Sequence, residues 1–139
     1  MATIATVKGK TPKWGKDCFI AENATLAGDI IMGDDCSIRY GAVLRADVDA
    51  IRIGNRVNVQ DSACIHQTNG YPVTLEDDVS VGHGAIVHAA TVRKGALIGM
   101  NAVVEFLCGL SSVLAFVCSV VVSSLYSSSF CALSVSLAF

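Results

Sequence analysis

The 139-residue chain carries little charge and lacks any paired cysteine motif. Lysine and arginine number 10 against 12 aspartate and glutamate, so the formal charge is only −2. This balance gives no electrostatic case for a nucleic-acid partner. The six cysteines form no Cys-x-x-Cys pair, so neither a cysteine zinc site nor a redox motif is indicated. No apolar run follows the lysines near the N-terminus, and we expect a reduced, cytoplasmic setting.

Residues 106–139 lack charge and proline altogether and use only eight residue types. Most of these residue types can be encoded by codons rich in thymine. The simplest interpretation is therefore a thymine-rich stretch of DNA that is translated past the true reading frame, through an intron or a frameshift. A membrane anchor over residues 106–126 is a rival, because about 20 apolar residues span a bilayer. Two buried strands are a third interpretation. We therefore divide the chain into a β-helix domain, residues 1–105, and an atypical uncharged tail, residues 106–139.

What residues 1–105 do contain is a six-residue period. A large aliphatic residue recurs at Ile20, Leu26, Met32, Ile38, Leu44, Ile53, Val59, Ile65, Leu75, Val81, Val87, Val92, Ile98 and Val104. A small or β-branched residue usually follows four positions later. Such a period is typical of a parallel β-helix, in which each hexad forms one short strand and a corner. The sequence therefore predicts an all-β fold of triangular coils, three hexads to a coil.

The only three histidines occupy matching positions in these coils. If each irregular step of the repeat is one face, Arg45, His66 and His88 stack in one outward column. Asp61 and His83 stack in a second column on another face. A face is about 15–20 Å wide at strand rise, so His83 should not reach the other two histidines within one prism. Three prisms in a closed ring would bring the columns together across each interface.

Facing columns would have two consequences. Arg45 would form a bidentate ion pair with the neighbour's Asp61. One coil further on, His66 and His88 would meet the neighbour's His83 around a metal. Three neutral imidazoles are a common catalytic zinc shell, with the fourth position left for water.

Residues 13–104 resemble the gamma-class carbonic anhydrases. The matching stretches are SIRYGAVLRAD at 37–47, NVQD at 58–61, IH at 65–66, VGHGAIVH at 81–88 and IGM at 98–100. The resemblance implies a left-handed β-helix trimer that hydrates carbon dioxide reversibly to bicarbonate. It implies zinc, or alternatively iron or cobalt, at each subunit interface. The implied ligands are His66 and His88 of one subunit and His83 of the next.

The resemblance also implies roles for polar residues around the histidines. Gln60 and Asn58 would hydrogen-bond water or bicarbonate at the site, and Arg45, Asp47 and Asp61 would form an interface network. Considered alone, Gln60 fits a surface amide equally well, and the three charged residues fit solvated side chains.

The chain departs from the family pattern in ways that leave two alternatives open. Acidic residues thought to shuttle protons are replaced by Val48 and by a loop, residues 67–72, without a carboxylate. A catalytically weak or inactive assembly subunit is therefore one alternative. A hexapeptide-repeat acyltransferase, which uses a single histidine as general base, is the other. Bound metal would discriminate between acyl transfer and hydration.

Overall fold

The computed structural model describes residues 1–105. These residues form fourteen strands and no helix: β1 Thr3–Ala5, β2 Lys13–Trp14, β3 Phe19–Ile20, β4 Thr25–Met32, β5 Ser37–Ile38, β6 Val43–Ile53, β7 Asn58–Val59, β8 Cys64–His66, β9 Val73–Leu75, β10 Ser80–Val81, β11 Ile86–His88, β12 Thr91–Val92, β13 Leu97–Ile98 and β14 Val103–Glu105. Accordingly, no helix in this part of the chain could span a membrane. The predictions for residues 106–139, including the anchor, lie outside the described residues.

The strands wind into a three-faced coil in which all ladders are parallel. Face A contains β1, the first halves of β4 and β6, then β8, β11 and β14. Face B contains β2, the second halves of β4 and β6, then β9 and β12. Face C contains β3, β5, β7, β10 and β13. The all-β, parallel β-helix prediction is confirmed.

The core is the column of large aliphatic residues that the hexad period predicts. Of the fourteen positions, all are buried except Ile20, which is partly buried against the same core. Most of the small or β-branched residues that follow four positions later are buried at the corners: Ala24, Cys36, Ala42, Val57, Ala63, Val79, Ala85 and Ala102. Val48 and Thr91 are exposed instead, and both lie within irregular steps of the repeat. Each coil thus buries the hexad residue of each face and closes over small corner residues. Face B buries a second aliphatic side chain per coil, namely Ile30, Ile51 and Val73, which the hexad period does not predict.

The irregular steps behave as single faces. Leu44, Ile65 and Val87 are neighbours in the face A ladder, and Ile53 and Leu75 are neighbours in the face B ladder. The extra residues of the extended steps therefore do not change the ladder pairing on either side of them. The outward-pointing residues consequently remain aligned from coil to coil.

The corner between faces A and B differs from the expected short, flat strands. There β4 and β6 continue around the prism without a break, with a register shift between Gly28 and Ile30. Gly28 has φ +85°, and a Cβ built on it would lie 2.0 Å from the carbonyl oxygen of Ala46. Only glycine fits this approach between coils.

Candidate metal centre

His66 and His88 project side by side from face A. They end strands β8 and β11 and are direct neighbours in the parallel ladder. Their rings are stacked, with centroids 5.4 Å apart and planes inclined by 21°. The side chains are 22% and 29% exposed, so both rings are accessible while their backbones stay fixed by the ladder. The Arg45–His66–His88 column is therefore present as predicted.

His83 lies at the corner that follows β10 on face C. Its Nδ1 is 2.9 Å from Oδ2 of Asp61, the residue one coil earlier in the same column. The other carboxylate oxygen of Asp61 accepts a hydrogen bond from the backbone N–H of Tyr40, at 3.0 Å. With Nδ1 beside a carboxylate, Nε2 of His83 is left available as a ligand atom. The second predicted column is also present.

The three histidines of one chain do not form a cluster. No group of three His, Cys, Asp or Glu side chains within residues 1–105 is close enough to hold a metal ion. Two stacked imidazoles on face A and one accessible imidazole on face C nevertheless supply the donor set that zinc prefers. The residues fit a zinc site only if the two faces of different chains meet.

Asp47 connects the arginine to the first histidine of the column. Its Oδ1 is 3.2 Å from Nε2 of His66, and its Oδ2 pairs with Nη1 of Arg45. Partial burial raises the pKa of the Asp47 carboxyl, but hydrogen bonds from Arg45, the Asp47 backbone and His66 together hold that pKa below its usual range. Asp47 is thus a carboxylate at neutral pH, positioned to orient both neighbours.

The predicted polar residues lie on face C rather than beside the stacked histidines. The Oδ1 of Asn58 accepts a hydrogen bond from Oγ of Ser37, at 2.8 Å. The side-chain amide of Gln60 has no hydrogen-bond partner among residues 1–105 and is partly exposed. Both residues share the face of His83, so they can reach a site only where face C meets a second chain.

Arg45 and Asp61 are not brought together within one chain. Arg45 lies on face A and pairs with Asp47, whereas Asp61 lies on face C beside His83. Their pairing between neighbouring subunits stays a prediction. The sequence interpretation did not find the contacts that Asp47 and Glu105 make with His66 and His88, at 3.2 and 3.4 Å.

Two hydrogen bonds to Asp49 hold the loop that follows His66. Gln67 is fully buried, and its Nε2 donates to the backbone carbonyl of Asp49. The Asp49 side chain accepts a hydrogen bond from the backbone N–H of Gly70, at 3.0 Å. These two contacts attach residues 67–70 to Asp49 of β6, directly after the strand that carries His66.

Several named proteins are similar to this chain, although no family model matches it. A carbonic anhydrase of Geobacillus kaustophilus is 47% identical over 101 residues, covering 73% of this chain and 56% of that protein. Gamma carbonic anhydrase 3 of Arabidopsis thaliana, a mitochondrial protein, is 42% identical over 106 residues, covering 72% and 41%. The chain therefore spans about half the length of these relatives.

A solved structure agrees with the fold. A putative acetyltransferase of Bacillus cereus superposes with a TM-score of 0.73 at 45% identity, covering 75% of this chain and 60% of that chain. The parallel coils, the two histidine columns and these similarities lead to one assignment. The chain belongs to the gamma-class carbonic anhydrase-like family of left-handed, hexapeptide-repeat β-helices.

Proposed function

We propose that this chain is a subunit of a trimeric, zinc-dependent enzyme that interconverts carbon dioxide and bicarbonate. The observation that carries the proposal is the placement of the histidines: His66 and His88 are stacked on face A, and His83 is held on face C. The named carbonic anhydrases among the relatives support the reaction class.

Exposed apolar residues around both histidine columns support assembly. Ile86 and Val103 point outward from face A, and Leu97 and Met100 point outward on face C, each 42% to 67% exposed. Apolar side chains flanking polar sites are typical of protein interfaces. A heterologous contact of face A with face C, closed by three-fold rotation, would bury both patches. Each interface would then hold one site.

The residues of the site would divide the work. His66, His88 and His83 of the partner subunit would hold zinc, with iron or cobalt as alternatives. When bound, such an ion acts as a Lewis acid and lowers the pKa of water to about 7. The amide of Gln60, which has no hydrogen-bond partner among residues 1–105, would hydrogen-bond the water oxygen or the bicarbonate product, and the Nδ2 group of Asn58 would assist. Arg45, Asp47 and Asp61 would keep the two subunits in register.

Proton removal would depend on solvent. Val48 is exposed where the family pattern has an acid, and the loop of residues 67–72 contains no carboxylate. General acid–base groups typically contribute about 10²- to 10⁴-fold to a rate. We therefore expect slow turnover that rises with buffer concentration. We also propose a cytoplasmic location, as the sequence indicates.

Carbon dioxide hydration by the zinc-loaded full chain tests the proposal. We expect stopped-flow hydration above the buffer rate, and its loss in His88→Ala, because one of three ligands is removed. Glu22→Ala, an exposed change on the first coil, is the matched control and should retain the rate. A zinc-loaded trimer without hydration would instead favour the inactive assembly subunit.

Acyl transfer is the second candidate, because the Bacillus cereus neighbour is named a putative acetyltransferase. A transferase of this kind needs one histidine as general base and no metal. That chemistry gives no reason for two stacked histidines, His66 and His88, on one face. Acyl transfer from an acyl thioester by the metal-free chain, with no zinc binding, would favour this candidate.

A further inference from the structure

The histidine column of face A continues beyond His88 to a carboxylate. Strand β14 pairs with β11 in parallel, and Glu105 is the direct ladder neighbour of His88. The Oε1 of Glu105 lies 3.4 Å from Nδ1 of His88. The Glu105 side chain is 60% exposed and points outward, so its place is not dictated by core packing.

A carboxylate at Nδ1 has a specific chemical effect on a neutral imidazole. A neutral imidazole has one N–H proton, on either Nδ1 or Nε2, and a carboxylate beside Nδ1 favours the tautomer with the proton on Nδ1. The Nε2 lone pair is then free for a metal, as in the carboxylate–histidine–zinc arrangement of many sites. His83 has the same arrangement with Asp61, at 2.9 Å. Two of the three proposed ligands therefore present Nδ1 to a carboxylate.

We infer that Glu105 is a positioning residue for His88: its carboxylate accepts a hydrogen bond from the Nδ1–H group, which leaves Nε2 as the ligand atom. The inference rests on the proposed zinc site, which it deepens by naming what orients one ligand. His66 differs, since Asp47 lies beside its Nε2 rather than its Nδ1. Glu105 thus serves His88 alone, and its loss should leave His83 unchanged.

The tautomer of His88 in the metal-free full chain tests the inference directly. Because the chain has only three histidines, ¹⁵N-histidine labelling gives a simple spectrum, and His88→Gln assigns the His88 signals. At a pH where all three rings are neutral, we expect Nδ1 of His88 to be protonated. Glu105→Ala should remove this preference while the His83 signals stay in place. Glu105→Gln, which keeps an acceptor of the same shape, should shift His88 less.

Zinc affinity gives a second readout. Loss of an outer partner of a ligand typically weakens metal binding about 10- to 100-fold. We expect about tenfold weaker zinc binding in a chelator competition with Glu105→Ala, partial rescue in Glu105→Gln, and no change in Glu22→Ala. An unchanged His88 tautomer in Glu105→Ala, with zinc still bound as in the wild type, would overturn this inference alone. A tautomer change in a chain that never binds zinc would support the pairing and refute the proposed zinc site.

Discussion

At the scale of residues, the molecule uses single outward side chains whose positions are fixed by ladder register. Arg45 and Asp47 are two residues apart on one strand, so their side chains point to the same side and pair with each other. Asp61 pairs with His83 one coil away, on a different face. Asp47 and Glu105 lie beside His66 and His88, so each proposed ligand has a nearby carboxylate. Arg45 and Asp61 meet only if faces A and C of two chains are in contact.

Arg45→Ala should weaken the trimer, because it leaves Asp61 of the partner subunit without its cation. Loss of one member of a buried ion pair costs about 3–5 kcal/mol. Sedimentation of the full chain measures the effect, and Arg52→Ala is the matched control, since Arg52 pairs with Asp29 on face B.

A double-mutant cycle separates the two partners of Arg45. Coupling between Arg45→Ala and Asp61→Asn in trimer dissociation should exceed about 0.5 kcal/mol. An unchanged trimer in Arg45→Ala would mean that the two columns do not face each other.

At the scale of elements, the two strands that turn a corner without interruption determine where face A, which carries His66 and His88, lies relative to face B. Strands β4 and β6 extend over faces A and B, and their shared ladder fixes face A relative to face B. The corner depends on Gly28, whose positive φ and close approach to Ala46 exclude a side chain. A disturbance at Gly28 would shift the ladder on which Arg45 and the histidines depend.

Gly28→Ala should therefore destabilise the β-helix by about 2 kcal/mol or more, since backbone strain and a steric clash act together. Gly99→Ala is the matched control, because a Cβ there meets no atom of residues 1–105 within 4 Å. The control should change stability by less than about 0.5 kcal/mol. Urea unfolding followed by circular dichroism compares the two. Equal stabilities would show that the corner relaxes around a methyl group.

The sequence was sufficient for the coil and for both histidine columns, because a period of six fixes which residues share a face. Counting each irregular step as one face aligned His66 with His88, as the ladder has them. The continuous strands at the corner were missed, since a hexad pattern does not distinguish a bend from a break. The contacts of Asp47 and Glu105 were missed because they depend on side-chain conformation rather than on period.

At the scale of the whole molecule, one chain holds an incomplete site on each of two faces. Face A presents two imidazoles and face C presents one, with exposed apolar residues beside each. Within residues 1–105 no arrangement of a single chain completes the ligand set. At the proposed site, zinc would therefore bind only where two chains meet, and function would require assembly.

Subunit mixing tests this central claim most directly. Two full-length variants are needed: His83→Ala, which keeps the face A pair, and His66→Ala/His88→Ala, which keeps the face C ligand. Each should form trimers that bind no zinc at the interface. Unfolded and refolded together in equal amounts, they should recover about a quarter of the wild-type zinc. An interface is complete only if its face A comes from the first variant and its face C from the second, and each has a probability of about one half under random mixing.

Zinc content of the mixed trimers, measured by elemental mass spectrometry after separation by size, is the decisive quantity. We expect about one ion per interface in the wild type, none in either variant alone, and partial recovery in the mixture. Zinc retained by either variant alone, or mixed trimers with no more zinc than the separate variants, would contradict a site shared between chains.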